Sequence, residues 1–189
     1  MPFTYTTRRG KTYYLHTGPK RGGGIQHFVS TDPDGSIADA MPGGFEVYET
    51  PNGQVYLRKT KSALIRPDEL ALVNAELSKR QTSQHCYLAD VNGKEIVVYE
   101  GDTHIETLRA INVRFSARGL EEYAARHAQY VAVMRFVLKD KATREFAPQR
   151  FCFRGSVEDW ISIGEPDQLG KLASRFVKHL GKDSMYELY

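Results

Sequence analysis

Residues 1–31 contain no aspartate and no glutamate. In that stretch Arg8, Arg9, Lys11, Lys20 and Arg21 stand unopposed, a charge of +5, while the remainder holds 21 basic and 23 acidic residues. The whole chain, at +3, is therefore no polycation, but its first segment is one in miniature. An acid-free basic segment points to an anionic partner.

Other scarcities exclude whole classes. Cys86 and Cys152 are the only cysteines, too few and too far apart for a disulfide framework or a Cys-rich zinc centre. Both are expected as buried thiols. No apolar run approaches the roughly 18 residues a membrane helix needs. The opening MPFTYTTRRG lacks the apolar core of a signal peptide. A cytoplasmic protein is the expectation, with no membrane partner. No Gly-x-Ser-x-Gly, His-Glu-x-x-His, Gly-x-Gly-x-x-Gly or Walker A pattern occurs. No cofactor is predicted.

With 189 residues, 41% of them hydrophobic and 26% charged, the chain can bury a substantial core. Tryptophan occurs once, but eleven tyrosines and nine phenylalanines favour sheet-rich packing. The clearest local signal is Phe45–Thr60, a hairpin turning on Pro51-Asn52-Gly53. Glycine at the third loop position supplies the positive φ that a three-residue loop requires. This loop sets Glu46 opposite Arg58, Val47 opposite Leu57 and Tyr48 opposite Tyr56. It assigns Phe45, Val47, Val55 and Leu57 to the core. A second hairpin is expected on a like loop, Val91-Asn92-Gly93, with Asp90 opposite Lys94 and Leu88 opposite Ile96.

Between and after these, helices are predicted. Pro67 opens one that buries Leu70, Val73 and Leu77 and reaches about Arg80. A second is predicted over Ala117–Gln129. A third carries Leu169, Leu172, Ala173, Phe176, Val177 and Leu180, capped by Asp167 and stopped by Gly181. Val131–Lys139 reads as a buried strand paired with Arg150–Arg154 through a longer connection, with Pro148 breaking the start of the latter. Ser156 is expected to cap a helical turn carrying Trp160. Near the N-terminus, short strands are expected at residues 3–8, 12–17 and 25–31, with Gly18–Gly24 too flexible for a tight turn and residues 32–44 as loop. The fold expected is α+β: an antiparallel sheet built from successive β-hairpins with about three helices packed mainly on one face. It divides into a basic aromatic β-rich subdomain, residues 1–44, and a main domain, residues 45–189, or forms a single domain over 1–189.

The functional expectation follows the charge. Arg8, Arg9, Lys11, Lys20 and Arg21 interleave with Tyr5, Tyr13, Tyr14 and Phe28, joining cations for phosphate to aromatic faces for bases. The reading preferred is a non-catalytic binding module for nucleic acid or another polyanion through Arg8, Arg9, Lys11, Tyr13, Tyr14, Lys20 and Arg21. The alternative is a protein–protein or homo-oligomeric contact protein using Tyr48, Tyr56 and the C-terminal run KDSMYELY. A third reading is a metal-dependent hydrolase. Glu100, Asp102, His104 and Glu106 alternate, so an extended segment would turn Asp102, His104 and Glu106 to one side as metal ligands. Entry into a helix would instead make Asp102 a cap. Arg135, Arg150 and Arg154 are candidates for an anion site on one sheet face. His85 and Cys86, adjacent on a strand, point apart and do not pair. His127 lies on an apolar helical stripe.

Overall fold

The computed structural model describes residues 1–60, 62–82, 84–111, 116–154 and 157–188, without the side chains of Ala117, Ala125, Arg154 and Val157. By its internal contacts the chain falls into two units, residues 1–62 and 63–189, so the hairpin from Phe45 belongs with the N-terminal segment.

In the first unit β1 (Thr4–Thr6), β2 (Thr12–Pro19) and β3 (Ile25–Ser30) form an antiparallel sheet in that order. A ribbon of β4 (Phe45–Glu49) and β5 (Val55–Lys59) accompanies it. One turn design recurs three times, over Thr7–Lys11, Lys20–Gly24 and Thr50–Gln54. In each, the first residue's N–H donates to the fifth residue's carbonyl, at 2.9, 3.0 and 2.8 Å. The fourth residue's N–H returns to the first residue's carbonyl, at 2.8, 2.9 and 2.9 Å. That fourth residue is always a glycine in the left-handed region, Gly10, Gly23 or Gly53, with φ of +79°, +88° and +78°. Thr7 and Thr50 strengthen their turns by accepting the fifth residue's N–H on Oγ1, each at 3.0 Å.

The stretch Gly18–Gly24 is therefore not an open loop. β2 and β3 stay paired to Pro19 and Ile25, and the turn closes over three residues. The β4–β5 register is the one the Pro-Asn-Gly loop dictates, with Glu46, Val47 and Tyr48 opposite Arg58, Leu57 and Tyr56. Phe45, Val47, Val55 and Leu57 are half-buried rather than core, because a two-stranded ribbon offers little to enclose them.

The second unit contains α1 (Pro67–Ser78), β6 (His85–Asn92), β7 (Glu95–Asp102), α2 (Ile105–Ala110), α3 (Ala117–His127), β8 (Gln129–Asp140), β9 (Glu145–Arg154), β10 (Val157–Ser162), β11 (Asp167–Gln168) and α4 (Leu169–Phe176). Its strands make an antiparallel meander, β10-β9-β8-β7-β6, with β11 also paired to β9. α1 and α4 lie on one face of the sheet and on each other. The core between them joins Val73 and Leu77 of α1, Leu172 and Phe176 of α4, and Ile96, Val98, Met134, Phe136 and Phe146 of the sheet.

Several local expectations give way to this packing. The β6–β7 turn is Gly93-Lys94, not Val91-Asn92-Gly93, and it sets Asn92 opposite Glu95, Val91 opposite Ile96 and Ala89 opposite Val98. Glycine at the first position with φ +61° suits a two-residue type II′ turn. The shift puts Tyr87, Ala89 and Val91 on the same buried face as Ile96 and Val98, which the other register would have split. β8 and β9 are joined by the short turn Lys141–Arg144, where the Asp140 carboxylate accepts the N–H groups of Ala142 and Thr143 at 2.6 and 3.0 Å. Pro148 sits inside β9, fully buried. Its carbonyl accepts from Ile163, so its missing N–H faces the gap where β10 gives way to β11. Trp160 lies on a strand, not a helical turn, and Ser156 falls outside the described residues. α3 stops at His127 because the chain is already extended at Ala128. Gln168, not Asp167, is the cap residue of α4.

Glu69, in the first turn of α1, is 4% exposed. It accepts the Arg66 backbone N–H at 2.8 Å and the Arg144 Nε–H at 2.8 Å, and Arg144 Nη2 bonds its other oxygen. Arg144 Nη2 also donates to the Leu64 carbonyl at 3.1 Å. Burial alone would raise the Glu69 carboxyl, but the bonds from Arg144 and the Arg66 backbone outweigh it and hold the group below its ordinary value. Its stabilising contribution is thus present above the ordinary carboxylate range and is lost as pH falls through the depressed folded value. Arg144→Met leaves this buried carboxylate with Arg66 alone, whose backbone N–H bonds it at 2.8 Å and whose exposed guanidinium stands 3.4 Å away. The substitution should cost about 2 kcal/mol at neutral pH, measured by urea unfolding, and the gap to the native protein should narrow as the solution is acidified. A pH-independent loss would contradict the account.

Candidate functional site

The predicted basic residues separate into two groups at opposite ends of β2. The strand has eight residues, so its ends lie roughly 25 Å apart. Arg8, Arg9 and Lys11 gather at the first turn, and Lys20 and Arg21 at the second.

The first group is largely committed within the unit. Glu49, its side chain 5% exposed, accepts the Arg8 Nε–H and the Arg8 backbone N–H, each at 3.2 Å. It also accepts the Tyr5 hydroxyl at 2.9 Å. Arg8 Nη2 reaches on to the Thr50 carbonyl. The Arg9 stem lies against the Thr50–Gln54 turn, where a Cβ on Gly53 would come within 3.1 Å of Arg9 Cδ. Lys11 Nζ stands 5.6 Å from the centre of the Tyr13 ring. Burial, then the Glu49 bond and charge, push the Tyr5 phenol above its ordinary value.

The second group is different. Lys20 and Arg21 are exposed, and among the described residues neither side chain makes an ion pair. Gly22, Gly23 and Gly24 complete the turn with nothing within 4 Å of where a Cβ would stand. The backbone there is open to close approach. Along β2, Tyr13 and Tyr14 project to opposite faces. Tyr14 shares its face with His16 and Gly18, and β3 adds Gln26 and Phe28 to that face. Phe28 as a residue is 44% exposed. Its ring runs nearly parallel to the His16 imidazole, with centroids 5.3 Å apart and planes 14° apart. His16 is buried, with Nε2 3.0 Å from the Asp32 carbonyl and Nδ1 beside Gly35. Sequence reasoning passed over His16; the alternation of Tyr14, His16 and Gly18 in a strand was the signal that could have found it.

The other candidates are placed as follows. Asp102 ends β7, and its carboxylate accepts the His104 backbone N–H at 2.8 Å while standing 3.3 Å from His104 Nδ1. His104 takes a left-handed conformation, φ +50°, at the start of α2. Glu106 turns instead to Arg109 at 2.8 Å. The segment is not extended, so Asp102 and His104 meet and Glu106 does not join them. Among the described residues no group of three or more His, Cys, Asp or Glu side chains is placed to hold a metal ion.

Cys86 is buried, with Sγ 3.3 Å from the Tyr130 hydroxyl, and burial pushes its thiol up, away from nucleophile chemistry. It lies on the sheet face opposite Ile96, since the register differs from the expected one. Cys152 is only half-buried. His85 Nδ1 is 3.2 Å from Glu100, which also accepts the Tyr87 hydroxyl at 3.0 Å. His127 is exposed, with its ring 4.4 Å from that of Tyr123 and tilted 37° to it.

Arg135 and Arg150 do not share a face. Arg135 is matched by Glu95 at 3.1 Å and Gln149 at 2.6 Å and lies over the Trp160 ring. Arg150 is buried on the other face and donates to the carbonyls of Leu188 and Tyr186 at 3.2 and 3.3 Å, anchoring the C-terminal run. The Arg154 side chain falls outside the described residues. A cavity of about 360 Å³ beside α4 is lined by Glu165, Asp167, Lys171 and Arg175 together with apolar groups, and Lys171 is already paired with Asp167 at 3.1 Å.

Comparison with protein-family models, with curated proteins and with solved structures found no match to this chain. Among the described residues no helix is long and apolar enough to cross a membrane.

Glu49 is the acceptor on which the first turn and the second ribbon converge. Glu49→Ala should destabilise the protein by about 1 kcal/mol, since it removes a charged acceptor from the half-buried Tyr5 hydroxyl and from the exposed Arg8, and should lower the titration point of the Tyr5 phenol. Urea unfolding and spectrophotometric tyrosine titration check the two effects. Unchanged unfolding and an unchanged tyrosine titration would contradict this role for Glu49.

Proposed function

We propose that this chain is a binding module for nucleic acid or another polyanion, and that it engages its partner through the β2–β3 turn of the first unit. The observation that carries the reading is the pair Lys20 and Arg21, exposed on a glycine turn and without an ion pair among the described residues. The charge balance supports it. Residues 1–62 hold 8 basic and 5 acidic residues, while residues 63–189 hold 18 of each, so the whole net charge of +3 resides in the first unit. Of the seven residues the sequence nominated, Lys20 and Arg21 carry this proposal. Arg8 is paired with Glu49, and Arg9 and Lys11 lie with it at the other end of β2, with Tyr13 and Tyr14 beside them on that strand.

A partner held in this way releases counterions, so its affinity must fall as salt rises. Anisotropy with a labelled oligonucleotide and the full-length chain should show binding at low salt. Lys20→Ala/Arg21→Ala should weaken it and reduce the log–log salt slope by about 1.4 for a single strand. Lys79→Ala, at the exposed residue that caps the C-terminal end of α1, should leave the slope unchanged. Absence of binding to any polyanion at low salt, or an unchanged slope in the double variant, would overturn the proposal.

A further inference from the structure

Resting on that reading, we propose that the polyanion is single-stranded nucleic acid and that one of its bases stacks on Phe28. A free aromatic ring on a hairpin is ordinarily a mobile apolar liability. This one is braced. His16, buried and hydrogen-bonded to the Asp32 carbonyl, lies nearly parallel to it, so the ring is held in one plane with 44% of the residue still exposed. A braced, half-open ring is a stacking platform that costs little ordering on binding.

The neighbour that would otherwise cover the platform is missing. Gly18 lies on the same face, one step along β2 from His16, and a Cβ there would stand 3.5 Å from Phe28 Cε1. Gly18 is not among the glycines with a left-handed backbone, so its conformation does not call for glycine. Its missing side chain leaves the edge of the ring against bare backbone, where a Cβ would touch Phe28 Cε1 and stand 3.9 Å from Gln26 Nε2, and a longer side chain would begin to cover the ring. Lys20 and Arg21 follow at the turn, Lys20 four residues beyond the His16–Phe28 pair, or roughly 13 Å along the strand. A backbone held by these cations can therefore lay a base over Phe28 a few nucleotides away.

The geometry selects among polyanions. A bare base face is available only in an unpaired strand; a duplex hides it in the stack, and a sulfated polysaccharide has none. Base–aromatic stacking adds to the phosphate term without demanding a sequence.

The test uses the full-length chain with three probes at one salt concentration: an oligothymidylate, a matched duplex and heparin. The native chain should prefer the oligothymidylate. Phe28→Ala should lose about tenfold for it and leave the other two unchanged, while Phe28→Tyr should bind as the native chain does. Gly18→Leu, which fills the surface beside an intact ring, should reproduce the selective loss, and circular dichroism should show each variant folded. Equal loss on all three probes, no loss with the oligothymidylate, or a native preference for duplex or heparin would overturn the single-strand inference while the polyanion reading stands. Failure to bind any of the three would overturn both.

Discussion

A carboxylate taken out of water must be met by donors, and each unit of this chain closes around one that is. Glu49 gathers Tyr5 and both the backbone and the side chain of Arg8, from 41 residues upstream. Glu69 gathers Arg66 locally and Arg144 from 75 residues downstream. In both cases the partner arrives from a tight turn. Arg8 belongs to the Thr7–Lys11 turn, and Arg144 closes the β8–β9 turn with φ +57°. The turns thus present particular side chains to particular acceptors as well as reversing the chain. Removing either acceptor would leave donors stranded, which is why these contacts constrain more of the structure than any single apolar pair does.

This constraint also decides what is left for function. Five cations stand in the acid-free segment, and the sequence treats them alike. Folding does not. Arg8 is neutralised by Glu49, Arg9 packs along the Thr50–Gln54 turn, and Lys11 lies near Tyr13. Lys20 and Arg21 remain at the tip of β2–β3, beside an aromatic ring whose plane His16 fixes. Charge, open backbone and a braced ring therefore coincide on one hairpin. In the second unit, electrically neutral, three arginines are tied up within the fold: Arg144 under α1, Arg150 on the C-terminal carbonyls, Arg135 between Glu95 and Trp160.

What could be read from the sequence follows the same logic. The α+β class, the hairpin meander and the faces of α1 and α4 were legible because apolar periodicity and turn chemistry agree there. The β4–β5 register was legible because Pro51 and Gly53 leave one comfortable loop. The β6–β7 register was not. Asn92-Gly93 invites a turn centred on both residues, and only the burial of Val91 and Ala89 against Ile96 and Val98 places the turn on Gly93-Lys94 instead. The run Gly22-Gly23-Gly24 concealed a turn with the hydrogen-bond plan of Thr50–Gln54, since three glycines read as slack while Gly23 and Gly24 both hold left-handed positions, φ +88° and +91°. Pro148 misled because its missing N–H faces a gap in the ladder that β10 and β11 create later in the chain. Which cations are free was illegible for a simpler reason: the partner of Arg8 lies far away in sequence, and no local pattern announces it.

The central claim is that the free end of the β2–β3 hairpin, not the basic segment as a whole, meets the partner. The most direct measurement is a residue-resolved amide spectrum of the full-length chain during titration with an oligothymidylate at low salt. The account predicts shifts confined to Gly18–Phe28, with the Thr7–Lys11 turn and the second unit unmoved. Shifts centred on Thr7–Lys11 or on residues 63–189, or none at all, would contradict it.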